Sequence, residues 1–171
     1  MPPPRRRTGA GSCVCPHLRY FLKATDFYLS QVIDRVTAYY SDKLKLTGTE
    51  FSVGSLSDCL ISGDPDRLEE VLQNIFENAI KYGDGREISM SFSDEEDSRL
   101  ITVSNSGCTL SDQELTHIFD SFWRGSNVGS RQGSGLGLYI CSRLMKEMGG
   151  DIFADNSDEV MSVTVVCKKC G

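Results

Sequence analysis

The fold is decided by one stretch, DPDRLEEVLQNIFENAIKY, at residues 64–82. It begins with a candidate helix N-cap at Asp64, a proline at the first helical position and an acid near the positive end of the helix dipole. Apolar residues then recur at helical spacing: Leu68, Val71, Leu72, Ile75, Phe76, Ala79 and Ile80. The spacing predicts an amphipathic helix that buries one face.

Four polar residues flank the apolar face of this helix. Asn74 and Asn78 are four residues apart, so their side chains point the same way, and Lys81 and Tyr82 continue that side one turn later. The pattern has two interpretations. It is typical of an ordinary polar helix edge, but an amide oxygen also suits Mg²⁺ and a lysine suits a phosphate.

The flanking sequence predicts further helices and strands. Helical spacing recurs over residues 29–40 and 140–148, and a capping box at Ser111 and Glu114 starts a helix between them. Alternating apolar residues predict strands at 49–53, 87–93, 99–105, 152–154 and 160–167. Three or four helices and about five strands predict an α/β (α+β) fold, built as a two-layer sandwich.

Composition and charge exclude several classes of protein. The chain has 171 residues, 39% of them hydrophobic, and a formal net charge of -6. The apolar content is that of a globular domain, and no stretch approaches the roughly 20 apolar residues of a membrane span. We therefore expect no direct membrane contact. The one dense basic run is Arg5–Arg7, so we also expect no nucleic-acid partner.

The chain is predicted to hold one folded domain, at residues 28–171. Residues 1–27 are expected to be a flexible leader or linker, or the remnant of a preceding helical domain, because their Pro-, Arg- and Gly-rich start cannot form a core. Seven cysteines, an odd number, without a signal peptide indicate a cytoplasmic, reducing location.

The cysteines also allow a zinc site near the two ends of the chain. Cys167 and Cys170 have the CxxC spacing of zinc ligands, and Cys13, Cys15 and His17 are candidate partners. The CxC spacing is tighter than that of the common structural sites. Incidental thiols are therefore the favoured interpretation.

A glycine-rich segment, GSGLGL at residues 133–138, precedes the helix of residues 140–148. Free N–H groups at a helix start can bind an anion, although such glycines often only supply positive φ angles. The segment matches neither the dinucleotide fingerprint nor the P-loop. Five glycines in residues 125–137 also predict a loop that moves over a ligand.

The order of four motifs resembles that of the sensor histidine kinases. LQNIFENAIKY (72–82) resembles their N box and VSNSG (103–107) their first glycine box. IFDSFWRG (118–125) resembles the F box, and GSGLGL (133–138) the second glycine box. The resemblance implies the Bergerat ATP-binding fold, with helices on one face of a mixed sheet, and ATP and Mg²⁺ as cofactors.

The resemblance also implies roles for single residues. Asn78 matches the residue that holds Mg²⁺, and Asn74, Lys81 and Tyr82 match its neighbours around the phosphates and ribose. Asn105 and Gly107 match positions beside the adenine. The family has a lid loop over the nucleotide, and one end of that loop lies beside the phosphates. The residues that match this end are Gly133, Ser134, Gly135, Leu136, Gly137 and Leu138. Arg124 and Arg131 match the place of lid cations.

Two positions depart from the family pattern. Asn105 stands where an acid is usual, and Thr109 replaces the second glycine of that box. An Asn side chain can turn over and donate to a guanine carbonyl. We therefore expect Asn105 to relax the choice of base, and an Asn105→Asp variant to bind ATP more tightly.

The sequence favours phosphoryl transfer over hydrolysis. The ATPase branches of the superfamily have a Glu four residues before the metal Asn, where this chain has Asn74, which cannot act as a general base. Neither His17 nor His117 matches a phosphoacceptor. The resemblance implies the ATP-binding catalytic domain of a two-component sensor kinase, which transfers phosphate to a His on a separate hairpin domain.

The same resemblance implies a response regulator downstream, a homodimeric full-length protein and a cytoplasmic domain that is compatible with a membrane anchor elsewhere. Two alternatives remain open. One is an anti-sigma-type Ser/Thr protein kinase of the same fold, and the other is a nucleotide-binding regulatory module without catalysis.

Overall fold

The computed structural model describes residues 22–129 and 132–171. Within them the chain forms seven strands and four helices. In chain order these are β1 (Thr25–Tyr28), α1 (Leu29–Thr47), β2 (Glu50–Val53), β3 (Leu60–Gly63), α2 (Pro65–Tyr82), β4 (Glu87–Glu95), β5 (Ser98–Ser106), α3 (Asp112–Leu115), α4 (Gly137–Glu147), β6 (Asp151–Ser157) and β7 (Val160–Lys168). A single 3₁₀ turn, Ser126–Val128, precedes α4.

Five strands form a mixed sheet in the order β2-β4-β5-β7-β6. β2 runs parallel to β4, and the remaining neighbours are antiparallel. Alternate residues of the strands, such as Met90, Ile101 and Val165, form one core with the apolar faces of α1, α2 and α4. The predicted two-layer arrangement of helices on one face of a mixed sheet is confirmed.

The alternate positions on the strands carry small hydroxyl side chains. Thr102 and Thr164 are paired across β5 and β7, with their hydroxyl oxygens 2.9 Å apart. Ser104 and Ser162 form the next such pair, at 2.7 Å. Because successive residues of a strand point to opposite faces, this polar row lies on the face away from the helices.

The helix α2 occupies the centre of the helical layer. Its apolar residues Leu68, Leu72 and Phe76 are fully buried, and the ring of Phe76 stacks on Tyr40 of α1 with the centroids 4.5 Å apart. The Tyr40 hydroxyl donates to the Glu77 carboxylate at 2.9 Å. Burial of its ring and the contact with Glu77 raise the pKa of Tyr40. These contacts fix the rotation of α2 about its own axis.

Three features differ from the sequence prediction. A small antiparallel pair, β1 with β3, was not predicted, because four residues per strand give too short an alternation to detect. β1 starts at Thr25, three residues before the predicted domain start at residue 28. The helix predicted after Leu110 is a single turn, α3, although its capping box is present.

The cysteines of the described residues are free thiols. They are Cys59, Cys108, Cys141, Cys167 and Cys170. No group of three His, Cys, Asp or Glu residues that could hold a metal occurs in the described part of the chain. The other candidate ligands of the zinc alternative, Cys13, Cys15 and His17, lie outside the described residues. Among the described helices, none combines the length and the apolar composition of a membrane span.

The start of α2 generates the first prediction. Asp64 is buried, and its Oδ1 accepts from the N–H groups of Asp66 and Arg67 at 3.1 and 3.2 Å, while Oδ2 accepts from Lys23 N–H at 2.7 Å. Asp64→Ala should lower the free energy of unfolding by about 1–2 kcal/mol, the usual loss for an N-cap. Urea denaturation followed by circular dichroism measures this.

A matched control is available in the first turn of the helix. Asp66 is exposed and contributes through the helix dipole, so Asp66→Ala should lose about 0.3–1 kcal/mol. Equal losses in the two variants would show that Asp64 does not act as a cap.

Candidate functional site

A cavity of about 640 Å³ lies between α2, the ends of β5 and β7, and the segment that leads into α4. It collects the predicted site residues from four separate parts of the chain. Those that line it are Asn74, Asn78, Lys81, Tyr82, Asn105, Arg124, Gly133, Ser134, Gly135, Gly137 and Leu138. Gly107 and Leu136 lie outside the lining, and Arg131 is outside the described residues.

One end of the cavity is formed where the polar edge of α2 meets the first residue of α4. A Cβ added to Gly137 would lie 3.5 Å from Asn74 Oδ1 and 3.8 Å from Asn78 Nδ2. The residue before α4, Leu136, provides no side-chain cap. The first N–H groups of α4 therefore have no capping side chain there, and such a helix start attracts an anion.

Lys81 brings a positive charge to the same end. Its ammonium group lies over the Tyr82 ring, 5.2 Å from the centroid. A Cβ added to Gly133 would lie 3.0 Å from Lys81 Nζ and 3.3 Å from the Tyr82 hydroxyl. A side chain at residue 133 would therefore crowd the amine, so this glycine lets the loop approach it closely.

The loop between the F box and α4 is tied together at its two ends. The Phe122 N–H donates to the Gly135 carbonyl at 3.0 Å. Gly135 has a φ of +70°, and a Cβ there would lie 2.8 Å from the Phe122 carbonyl carbon. Phe122 itself has a φ of +62°, and the residue is 71% exposed. Such a conformation costs about 1–3 kcal/mol for a bulky residue, so the surrounding contacts hold it.

Another part of the cavity, which we call the apolar end, is lined by apolar side chains. Its walls are side chains of β5, β7, the segments on either side of α3, and α4, namely Val103, Cys108, Leu110, Ile118, Val128, Leu138, Met161 and Val163. Burial raises the pKa of the Cys108 thiol, which therefore belongs to the apolar wall. Apart from Leu138, these residues were not predicted as site residues, because an apolar cavity wall has the same sequence pattern as a core.

Asn105 stands at the apolar end with its amide oriented by the backbone. The residue is 8% exposed, lines the cavity, and its Nδ2 donates to the Ser106 carbonyl at 3.2 Å. Gly83 lies beside this amide, and a Cβ there would be 2.9 Å from Asn105 Nδ2. The NH₂ group is therefore engaged and covered, and the carbonyl oxygen is left as the available acceptor.

Gly107 faces away from the cavity. It has a φ of +85°, and a Cβ there would lie 2.5 Å from Asp84 Cβ and 2.7 Å from Asp84 N. The absence of a side chain at residue 107 therefore makes room for Asp84. Asp84 was not predicted as a functional residue from the sequence.

Glu114 links the capping box to the start of the loop that ends at α4. Its Oε2 accepts from the Ser111 N–H at 3.0 Å, and its Oε1 accepts from the Ser126 N–H at 2.8 Å. These bonds lower the pKa of Glu114 to about 2, and the bond from the Ser111 N–H has the larger effect. The same carboxylate therefore anchors two segments of the cavity wall.

Comparison with known proteins identifies the family. Residues 63–169 match the family described as histidine kinase-, DNA gyrase B-, and HSP90-like ATPase. This match covers more than half of the chain and includes the described part of the cavity from Asn74 to Val163. The chain belongs to this family of ATP-binding domains.

Individual relatives are sensor proteins. Sensor protein TorS of Escherichia coli (strain K12) is 38% identical over 104 residues, which cover 61% of this chain and 11% of TorS. Sensor protein SrrB of Staphylococcus aureus is 27% identical over 127 residues, or 72% of this chain and 22% of SrrB. The chain thus spans a small part of these relatives.

Solved structures show the same fold. The catalytic domain of histidine kinase ThkA superimposes with a TM-score of 0.75 and 26% identity, over 86% of this chain and 96% of that domain. ThkA in complex with the response regulator protein TrrA matches with a TM-score of 0.73 and 24% identity, over 87% of this chain and 42% of that one.

Glu114 generates a prediction about acid stability. Its pKa in the folded chain, about 2, is below the ordinary value of 4.5. Its contribution to stability is therefore complete above pH 4.5 and is lost as the pH falls towards 2. The Glu114→Gln variant should lose less stability than the parent over this interval, in urea titrations at a series of pH values. Asp112→Asn, in the same helical turn, is the control. Parallel pH profiles for the parent and Glu114→Gln would contradict the assignment.

Proposed function

We propose that the cavity binds ATP, with the adenine at the apolar end and the phosphates at the start of α4. One observation carries the proposal, which is that Asn74 and Asn78 of α2 lie at the uncapped N-terminus of α4, with Lys81 beside Gly133 in the segment that leads into it. A lysine, two amides and a helix start together favour a polyphosphate. Arg124 lines the same cavity and adds a further positive charge.

The residues present also fit a magnesium ion that accompanies the phosphates. Asn78 would hold it through its amide oxygen, a hard ligand of the kind that Mg²⁺ prefers, alongside phosphate oxygens. When bound, the ion would neutralise phosphate charge. Asn74 donates its Nδ2 to the Glu70 carbonyl at 3.1 Å, so it offers only its Oδ1 to the cavity.

The reaction that this site supports best is transfer of the γ-phosphoryl group to a His on a separate hairpin domain. Hydrolysis needs a base that activates water, and Asn74 occupies the position of that base in the ATPase branches. Among the described residues, His117 is an exposed histidine whose Nδ1 lies 2.8 Å from the Asp120 carboxylate. It does not line the cavity, so it is not proposed as the acceptor.

The partners follow from the same proposal. The hairpin domain would supply the acceptor His and the dimer contact, and a response regulator would take the phosphoryl group from it. The solved complex of ThkA with TrrA supports a regulator as partner for a kinase of this fold. We place the domain in the cytoplasm, whether or not the full-length protein has a membrane anchor. A Ser/Thr protein kinase is the competing assignment, and the residue type that becomes labelled separates the two.

Asn78 provides the test of metal-assisted binding. Asn78→Ala should remove the Mg²⁺-dependent part of the affinity for a non-hydrolysable ATP analogue, by about tenfold, the scale of losing a partner of a metal site. Calorimetric titration with and without Mg²⁺ measures the change, and circular dichroism checks the fold. Gln73→Ala, on the same helix but outside the cavity lining, should keep the parent's Mg²⁺ dependence. Unchanged Mg²⁺ dependence in Asn78→Ala would refute the role of this residue.

The acceptor test uses the chain with radiolabelled ATP. Alone, it should neither hydrolyse ATP at a useful rate nor label itself. With a hairpin domain from a sensor kinase added, the hairpin should gain a phosphate that is labile in acid, as expected for phosphohistidine. Acid-stable label on a serine would favour the Ser/Thr kinase instead. Vigorous hydrolysis by the chain alone, abolished in Asn74→Ala, would refute a transferase.

A further inference from the structure

We propose that Asp84 is a positioning residue for base selection. Through Ser106 it fixes the amide of Asn105 with the oxygen towards the cavity, so that the site selects a base which donates a hydrogen bond there. This inference rests on the proposed nucleotide site and adds to it the residue that sets base choice.

Asp84 is bound to Ser106 through both its backbone and its side chain. The Asp84 N–H donates to the Ser106 carbonyl at 3.1 Å, and the Ser106 hydroxyl donates to Asp84 Oδ1 at 2.5 Å. Asp84 Oδ1 also accepts from the Arg86 N–H at 3.0 Å. The bond from Ser106, followed by those from Arg86, lowers the pKa of Asp84 to about 2, so its carboxylate is charged at neutral pH.

The approach of Asp84 to the end of β5 is close because Gly107 has no side chain. A Cβ at residue 107 would lie within 2.8 Å of three atoms of Asp84. The turn after α2 is thereby fastened to the residues that follow Asn105, although the two segments are about twenty residues apart in the chain.

The Ser106 carbonyl connects this clamp to the amide. It accepts from the Asp84 N–H and also from Asn105 Nδ2, at 3.2 Å, so both of its lone pairs have donors. If the amide turned over, Asn105 Oδ1 would face this carbonyl oxygen, and the two acceptors would repel each other. Gly83 lies against the same carbonyl group, because a Cβ added to Gly83 would be 3.1 Å from the Ser106 carbonyl oxygen.

A fixed acceptor at Asn105 has a definite consequence for the ligand. The amide oxygen accepts from the 6-amino group of adenine and repels the 6-carbonyl group of hypoxanthine or guanine. A carboxylate in this place would bring an anionic oxygen against the Ser106 carbonyl. Asn105→Asp should therefore bind ATP more weakly than the parent at neutral pH, which is opposite to the expectation from the family pattern.

The experiment compares ATP and ITP analogues, which differ in the 6-amino group, by the fluorescence of Trp123. This is the chain's single tryptophan and it lines the cavity. The parent should prefer the ATP analogue. Asp84→Ala should reduce that preference about fivefold, the scale of one hydrogen bond. Arg86→Ala removes a 76% exposed partner of Asp84 on the outer side and should keep the preference.

The outcomes separate this inference from the proposed function. If the parent binds neither analogue, the nucleotide site itself is wrong and the inference fails with it. If Asp84→Ala is folded and keeps the parent's ratio of affinities, or if Asn105→Asp binds ATP more tightly, the positioning role is refuted while ATP binding stands. Should Asp84→Ala not fold, the same ratio is measured in Ser106→Ala, which removes the hydroxyl bond to Asp84 together with the hydroxyl contacts to the Glu87 backbone.

Discussion

The site depends on the rotation of α2, which is set by the burial of its apolar face. Phe76 stacks on Tyr40, and Leu68 and Leu72 are fully buried. An α-helix turns by about 100° per residue, so fixing this face also fixes the direction of Asn74 and Asn78. Their amides are therefore directed towards the start of α4, and the amide of Asn74 is held further by its bond to the Glu70 carbonyl at 3.1 Å. Core packing of the apolar face thus orients the polar edge that flanks it.

The sequence was sufficient for the parts of the site that lie on regular elements. Helical spacing places Asn78 and Lys81 on one edge, and the glycine pattern of residues 133–138 indicates a helix start in the region where α4 begins. It was insufficient for contacts between distant segments. Neither Gly83 nor Asp84 belongs to a periodic pattern, and the clamp on Ser106 exists only after β4 and β5 have paired. The apolar walls were also invisible, because burial against a ligand and burial against a core require the same residues.

The loop that leads into α4 combines freedom with anchoring. Its glycines allow conformations that other residues rarely adopt, while hydrogen bonds hold its base. The Phe122 N–H is bonded to Gly135, and the Ser126 N–H to Glu114. The positive φ of Phe122 indicates that the base is held tightly enough to maintain a strained residue.

Charge in the cavity favours an anionic ligand and disfavours activation of water. Of the described residues that line it, Glu77 is the one acid. Its carboxylate accepts from the Tyr40 hydroxyl at 2.9 Å and pairs with Lys43 Nζ at 2.6 Å, both on α1. Glu77 therefore serves the packing of α1 on α2, and its charge is balanced away from Lys81 and the start of α4. An amide in place of an acid at Asn74 and again at Asn105 keeps further negative charge out of the cavity. In the proposed nucleotide site, Asn74 therefore offers no general base to activate water. The proposed contact of Asn105 with the nucleobase is made by a neutral acceptor, whose direction is fixed by its neighbours.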